Sequence, residues 1–370
     1  MYSKFWPKGG LPGILHHYVR LYLRSHHRLR TLLTIFLKTE TLTAFEFTST
    51  LAPQPHSVLF IGGLGDGLAT TSYMADLART LLPTGWSLFT LNVTSSYTSW
   101  GCGHLDRDTN EIARCIEYIK EYKTEKFGSS KLVLMGHSTG SQCVLHYLSQ
   151  SNPHTSVPAF DADLEHVQRP ALDGAIMQAP VSDREAIKLC IEHGFMGNSP
   201  AQMKAICDEM EAISKEAVAG NSKHDTILPL ALTTAIYPAN TPISCRRFLS
   251  LYSPDSPASP GEDDLFSADL SNGQLAKTFG MIQQRGLLRH KLMVLYSGAD
   301  QAVPAWVDKE NNLARWQNAT DHGGKYQIWD EVHSAIIPNA SHALSNDDQA
   351  EPRKFLCEKV LGYLQTALEI

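Results

Sequence analysis

Five short apolar runs, set among stretches of helical spacing, constrain this chain more than any other feature. They are residues 57–61 (SVLFI), 86–93 (WSLFTLNV), 131–135 (KLVLM), 174–178 (GAIMQ) and 291–296 (KLMVLY). A strand that is apolar at successive positions must be covered on both faces, the condition of a parallel sheet flanked by helices. Residues 69–82 and 106–123 carry apolar side chains at helical intervals, the second with Ile112, Cys115, Ile116 and Ile119 on one face. Residues 42–47 (LTAFEF) alternate as a half-exposed strand, residues 326–329 (YQIW) read as a further strand, and residues 352–368 as a last helix. The expected fold class is therefore α/β, with a mostly parallel, doubly covered sheet.

At 370 residues with 43% hydrophobic side chains, the chain suits one large α/β domain carrying an insertion. Residues 41–180 and 290–370 form the expected core. Residues 181–289 differ in texture: 201–219 is helical, 226–236 apolar, and 253–264 rich in Pro, Ser and Asp. This segment reads as a mainly helical lid between two strands. No apolar run approaches 18 residues, which excludes stable membrane insertion. The seven cysteines are scattered without a CxxC pair, as expected of reduced thiols in a cytoplasmic protein.

Charge is unevenly spread. The first 39 residues hold seven Lys or Arg and no acid, so the rest of the chain carries about −13 of a net −6. A body of that sign repels nucleic acid, and no basic stripe with interleaved aromatics offsets it. The basic segment 1–40 admits three readings: a transit peptide, an amphipathic surface helix on anionic lipid, or a poorly ordered extension.

Gly136-His137-Ser138-Thr139-Gly140 fits G-x-S-x-G and lies between the apolar run 131–135 and a helical stretch through Leu148. That is the context of a nucleophile elbow, so Ser138 is the expected nucleophile. A serine hydroxyl needs a base to take its proton, and the base needs an acid to hold its tautomer. Asp300 follows run 291–296 in a loop at a strand's carboxyl end, and is preferred over Asp308, Asp321 and Asp330. His342 lies before the final helix and completes the chain order Ser, Asp, His of α/β-hydrolases, ahead of His290, His322 and His333. His137 is expected to pack beneath the elbow. The amide of Thr139 and an amide of the glycine-rich turn Gly62-Gly63-Leu64-Gly65-Asp66-Gly67, from Leu64 or Gly63, are the expected oxyanion donors. The turn's spacing does not match G-x-G-x-x-G, which excludes a dinucleotide loop.

The motifs Phe60-Ile61-Gly62-Gly63-Leu64-Gly65-Asp66-Gly67, Gly136-His137-Ser138-Thr139-Gly140-Ser141-Gln142 and Gln178-Ala179-Pro180-Val181-Ser182-Asp183-Arg184-Glu185 together resemble a fungal α/β-hydrolase family. That family includes intracellular siderophore esterases acting on fusarinine C and triacetylfusarinine C. The likeness runs from about Thr41 to the C-terminus, and its triad falls on Ser138, Asp300 and His342. The resemblance implies hydrolysis of ester bonds in a hydroxamate siderophore, aiding iron release in the cell. The triad chemistry is expected to need no metal or organic cofactor, and any iron arrives within the small-molecule substrate. Arg184, Arg246, Arg247 and Trp100 are candidates to line the pocket. A general carboxylesterase, lipase or thioesterase with the same triad is the alternative, and a catalytically silent ligand-binding protein of the same fold is another. Against the family pattern, residues 19–38 look like a 20-residue insertion, read as a retained intron because Val codons begin with GT and Lys can end in AG.

Overall fold

The computed structural model describes residues 10–18, 42–50, 52–155, 157–220, 225–345 and 347–369, with side chains through residue 366. Eight strands form one sheet: β1 (Gly13–His17), β2 (Thr43–Phe47), β3 (His56–Ile61), β4 (Trp86–Leu91), β5 (Leu132–His137), β6 (Gly174–Gln178), β7 (Leu292–Ser297) and β8 (Ala335–Ile337). Their order across the sheet is β1-β2-β4-β3-β5-β6-β7-β8. β1 pairs with β2, and β2 with β4, antiparallel; every other pairing is parallel. The helices of eight residues or more are α1 (Met74–Leu81), α2 (Leu105–Phe127), α3 (Thr139–Ser149), α4 (Asp183–His193), α5 (Pro200–Ala219), α6 (Cys245–Tyr252), α7 (Lys309–Thr320) and α8 (Ala350–Glu369).

The apolar runs are continuous because alternate residues supply two different cores. Val58, Phe60, Val133, Met135, Ile176 and Met293 pack with Met74, Leu77 and Leu81 of α1 and Leu356, Val360 and Leu364 of α8. Their neighbours Leu59, Ile61, Leu132, Leu134, Ala175 and Val294 pack on the opposite face with Ile112, Ile116 and Ile119 of α2 and Val144 and Leu148 of α3. The period-2 alternation of a strand thus feeds both layers at once.

Two elements depart from the sequence reading. β1 lies within the segment read as a basic extension, and it pairs with β2 in the register His17 opposite Thr43. The strand expected at 326–329 is not one; only Trp329 bridges to Leu292, and the eighth strand is Ala335–Ile337. The reason lies in two aspartates. The Asp321 carboxylate accepts the amides of Ile328 and Trp329 at 2.7 and 3.0 Å, and Asp330 accepts those of Val332 and His333, so side chains take donors that a ladder would use. The 20-residue insertion read at 19–38 lies outside the described residues.

Between β6 and β7 the chain leaves the sheet and builds a separate apolar cluster. Ile187, Cys207, Met210, Leu228, Ile243, Phe248 and Leu251 pack there together, joined by Trp100 from the connection after β4. Leu64 of the glycine-rich turn packs against this cluster, which brings it over the carboxyl ends of β3 and β5. Among the described residues no helix is long and apolar enough to cross a membrane.

Candidate active site

Parallel strands present their carboxyl ends on one edge, and the loops leaving that edge carry Ser138 after β5, Asp300 after β7 and His342 after β8. Ser138 holds φ 54° and ψ −121°, a conformation that L residues rarely adopt and that a strand-to-helix elbow imposes. The flanking glycines explain how the elbow closes. A Cβ on Gly136 would lie 2.1 Å from the Gly140 carbonyl oxygen, and one on Gly140 would lie 2.3 Å from that of Ile61. Only residues without a Cβ let β3, β5 and the start of α3 approach so closely.

The structure brings the three residues into one hydrogen-bonded row. His342 Nε2 lies 2.8 Å from Ser138 Oγ, and His342 Nδ1 lies 2.7 Å from Asp300 Oδ2. Asp300 is buried, and its other oxygen accepts the Ala302 amide at 2.9 Å. The His342 amide donates to Gln301 Oε1 at 3.0 Å, which steadies the loop that carries the imidazole.

On the other side of Ser138 stands the glycine-rich turn. A Cβ on Gly63 would lie 2.8 Å from the Ser138 Cβ, so the turn touches the serine directly. Asp66 braces it: its carboxylate accepts the Gly63 amide at 2.9 Å and the hydroxyls of Thr70 and Thr71. The Gly63 amide is therefore engaged within the turn. A cleft runs beside this point, lined among others by Gly63, Leu64, Thr139, Trp100, Asp108 and Arg247, with about 40 Å³ of free space. Of the four side chains expected to line a pocket, Trp100 and Arg247 do so here. Arg184 is instead buried against Asp264 at 3.0 Å and Asp269, and Arg246 lies 4.8 Å from the centre of the Phe160 ring.

Beneath the elbow lies a buried polar network in which the sequence reading gave a part to His137 alone. Gln178, at the end of β6, accepts the Ser138 amide on its backbone oxygen at 2.9 Å. Its side-chain oxygen accepts from His137 Nδ1 at 2.5 Å and from the Tyr73 hydroxyl at 2.9 Å, while its amide donates to Ser297 Oγ. A polar residue ending an otherwise apolar strand is the signal that could have found Gln178. His137 packs under the site as expected, its ring centre 5.1 Å from that of His342. Burial, reinforced by the neighbouring His342, pulls its pKa down to about 4, so it is neutral at ordinary pH.

A sheet of this order, with a serine elbow after β5, an acid after β7 and a histidine after β8, defines a serine hydrolase of the α/β-hydrolase fold. The chain belongs to the family described as Protein of unknown function (DUF1749), whose model matches residues 23–365. It is 64% identical over 374 residues to Fusarinine C esterase sidJ of Aspergillus fumigatus, covering 100% of both chains. It is 46% identical over 375 residues to an esterase of Emericella nidulans, covering 97% of this chain and 93% of that one. Among solved structures it resembles the siderophore hydrolase EstB from Aspergillus fumigatus with a TM-score of 0.84 and 62% identity, covering 99% of this chain and 100% of the other. A soluble variant of monoglyceride lipase from Saccharomyces cerevisiae, at 14% identity and TM-score 0.51 over 89% of this chain and 93% of its own, shares the fold alone.

Proposed function

We propose that this chain hydrolyses ester bonds of a hydroxamate siderophore of the fusarinine C or triacetylfusarinine C type, through an acyl-enzyme on Ser138. The observation that carries the reading is the row Ser138 Oγ, His342, Asp300, with spacings of 2.8 and 2.7 Å. His342 takes the hydroxyl proton as Ser138 attacks the ester carbonyl, and Asp300 holds the tautomer and offsets the imidazolium charge. The alcohol leaves with that proton. Water, deprotonated by His342, then attacks the acyl-enzyme and frees the carboxylic acid.

The oxyanion formed in each step is assigned to the amides of Thr139 and Leu64. Thr139 begins α3, where the helix dipole adds to its donor, and Leu64 follows the Gly63 amide already committed to Asp66. The identity with a fusarinine C esterase and a siderophore hydrolase supports the substrate class. The segment between β6 and β7 contributes Arg247 to the cleft beside Gly63 and Thr139, in keeping with its reading as the lid. The iron is the substrate's cargo. Seven free cysteines fit the proposed cytoplasmic setting.

The test is mass spectrometry of ferric triacetylfusarinine C and fusarinine C incubated with wild type and with Ser138→Ala. Linear and monomeric fragments from wild type alone are expected. Intact siderophores in both samples, with p-nitrophenyl esters still cleaved by wild type, would replace this reading with a general carboxylesterase.

A further inference from the structure

Away from the active site, the first turn of α2 meets the connection from α3 to β6 in a cluster of imidazoles around one carboxylate. We propose that Asp106, His154 and His166 form a binding site for a divalent transition-metal ion of the Zn²⁺ kind. The ligand atoms of these three side chains all lie within 4.8 Å of one another. His154 and His166 stand with ring centres 4.9 Å apart, and His154 Nε2 is 3.9 Å from Asp106 Oδ1.

Donors bonded to one ion at 2.0–2.1 Å sit about 3.3 Å apart in a tetrahedron, so binding asks for a contraction of up to about 1.5 Å. The half-buried imidazoles can supply that by small rotations. Two imidazoles and a carboxylate suit borderline ions such as Zn²⁺ and Co²⁺ over Ca²⁺ or Mg²⁺, which prefer all-oxygen shells.

The surroundings suit a metal ligand set as well. His146, in the last turn of α3, places Nε2 2.8 Å from Asp106 Oδ1, the kind of outer partner that orients a ligating carboxylate. His104 and Glu262 form a second group around the same Asp106, so five nitrogen or oxygen donors surround one acid. An ion here would tie His154 and His166 to the start of α2, two residues ahead of Asp108, which lines the cleft. The site would brace the cleft from behind and take no part in the chemistry.

The experiment is to strip the full-length protein with chelator, reload it with Zn²⁺ or Co²⁺, desalt it, and measure bound metal and the visible spectrum. About one equivalent of Zn²⁺ and visible Co²⁺ absorption are expected in wild type. Affinity should fall by about tenfold or more in His154→Asn and His166→Asn, and not in His193→Asn. Hydrolysis of p-nitrophenyl esters reports whether each variant is folded. If a variant loses its fold, the wild-type Co²⁺ spectrum decides. No retained metal in wild type, or equal retention in both variants and wild type, would overturn the proposal.

Discussion

Ser138 and Gly63 are pressed together by a packing that leaves no room for a methyl group. Gly63→Ala would put a Cβ 2.8 Å from that of Ser138, pushing the nucleophile off line from His342. The account predicts a fall in kcat of about tenfold or more, with little change in Tm, because the turn is only half-buried and can yield. Steady-state kinetics beside a thermal melt checks this, and an unchanged kcat would contradict it. Asp300→Asn keeps the shape but loses the charge that faces His342 Nδ1 at 2.7 Å. It should lower kcat by about 10³- to 10⁴-fold with KM nearly unchanged, since the interaction gains strength only as the imidazolium forms. A fall of less than about tenfold would remove Asp300 from its assigned part.

At the scale of elements, the β1–β2 hairpin is held by a buried ionic knot. Lys123 of α2 donates to Glu46 of β2 at 2.6 Å, and His16 of β1 lies 3.3 Å from the same carboxylate. Burial works to raise the Glu46 pKa, but the bonds from His16 and Lys123 prevail and hold it at about 2. A carboxyl lowered in the folded state stabilises above its unfolded pKa, and that stability fades as pH falls from about 4.5 toward 2. Glu46→Gln should therefore be less stable than wild type by on the order of 3 kcal/mol at pH 7, with the gap closing over that acid window. Urea unfolding at several pH values checks it; a gap independent of pH would contradict the assignment. The register that sets His17 opposite Thr43 also places the two strand ends that flank the connection side by side. Deleting residues 19–38 leaves a five-residue connection, so the shortened chain should stay soluble with Tm within a few degrees of wild type. Insoluble or inactive deletion protein would contradict this.

How much of this was legible in the sequence depended on where each strand sits. β3 to β7 are covered on both faces, so apolar residues run through most of each strand and the runs announce themselves. β1 (GILHH) is an edge strand with four exposed positions, and its one buried residue is a histidine whose partner, Glu46, is remote in the chain. No local pattern marks such a strand. Residues 326–329 carry the apolar alternation of a strand, yet Asp321 and Asp330 divert their amides, a contest between side chain and backbone that composition does not reveal. The elbow and its serine were legible because a glycine spacing met a strand boundary. Gln178 was not, because its part in the network exists only once β5, β6 and β7 lie side by side.

At the scale of the whole molecule, the sheet's task is to gather residues that the chain keeps far apart. Ser138 and His342 are separated by 204 residues and meet at 2.8 Å only because β5 and β8 end on the same edge. The claim that these residues act as a unit with Asp300 is tested most directly by covalent labelling. Wild type, His342→Ala and Asp300→Asn would be treated with a fluorophosphonate, and the adduct located by peptide mass spectrometry. The account predicts rapid labelling of Ser138 alone in wild type, and labelling slowed by at least about 10³-fold in both variants. An unlabelled wild type, an adduct on another serine, or equal rates in all three would contradict it.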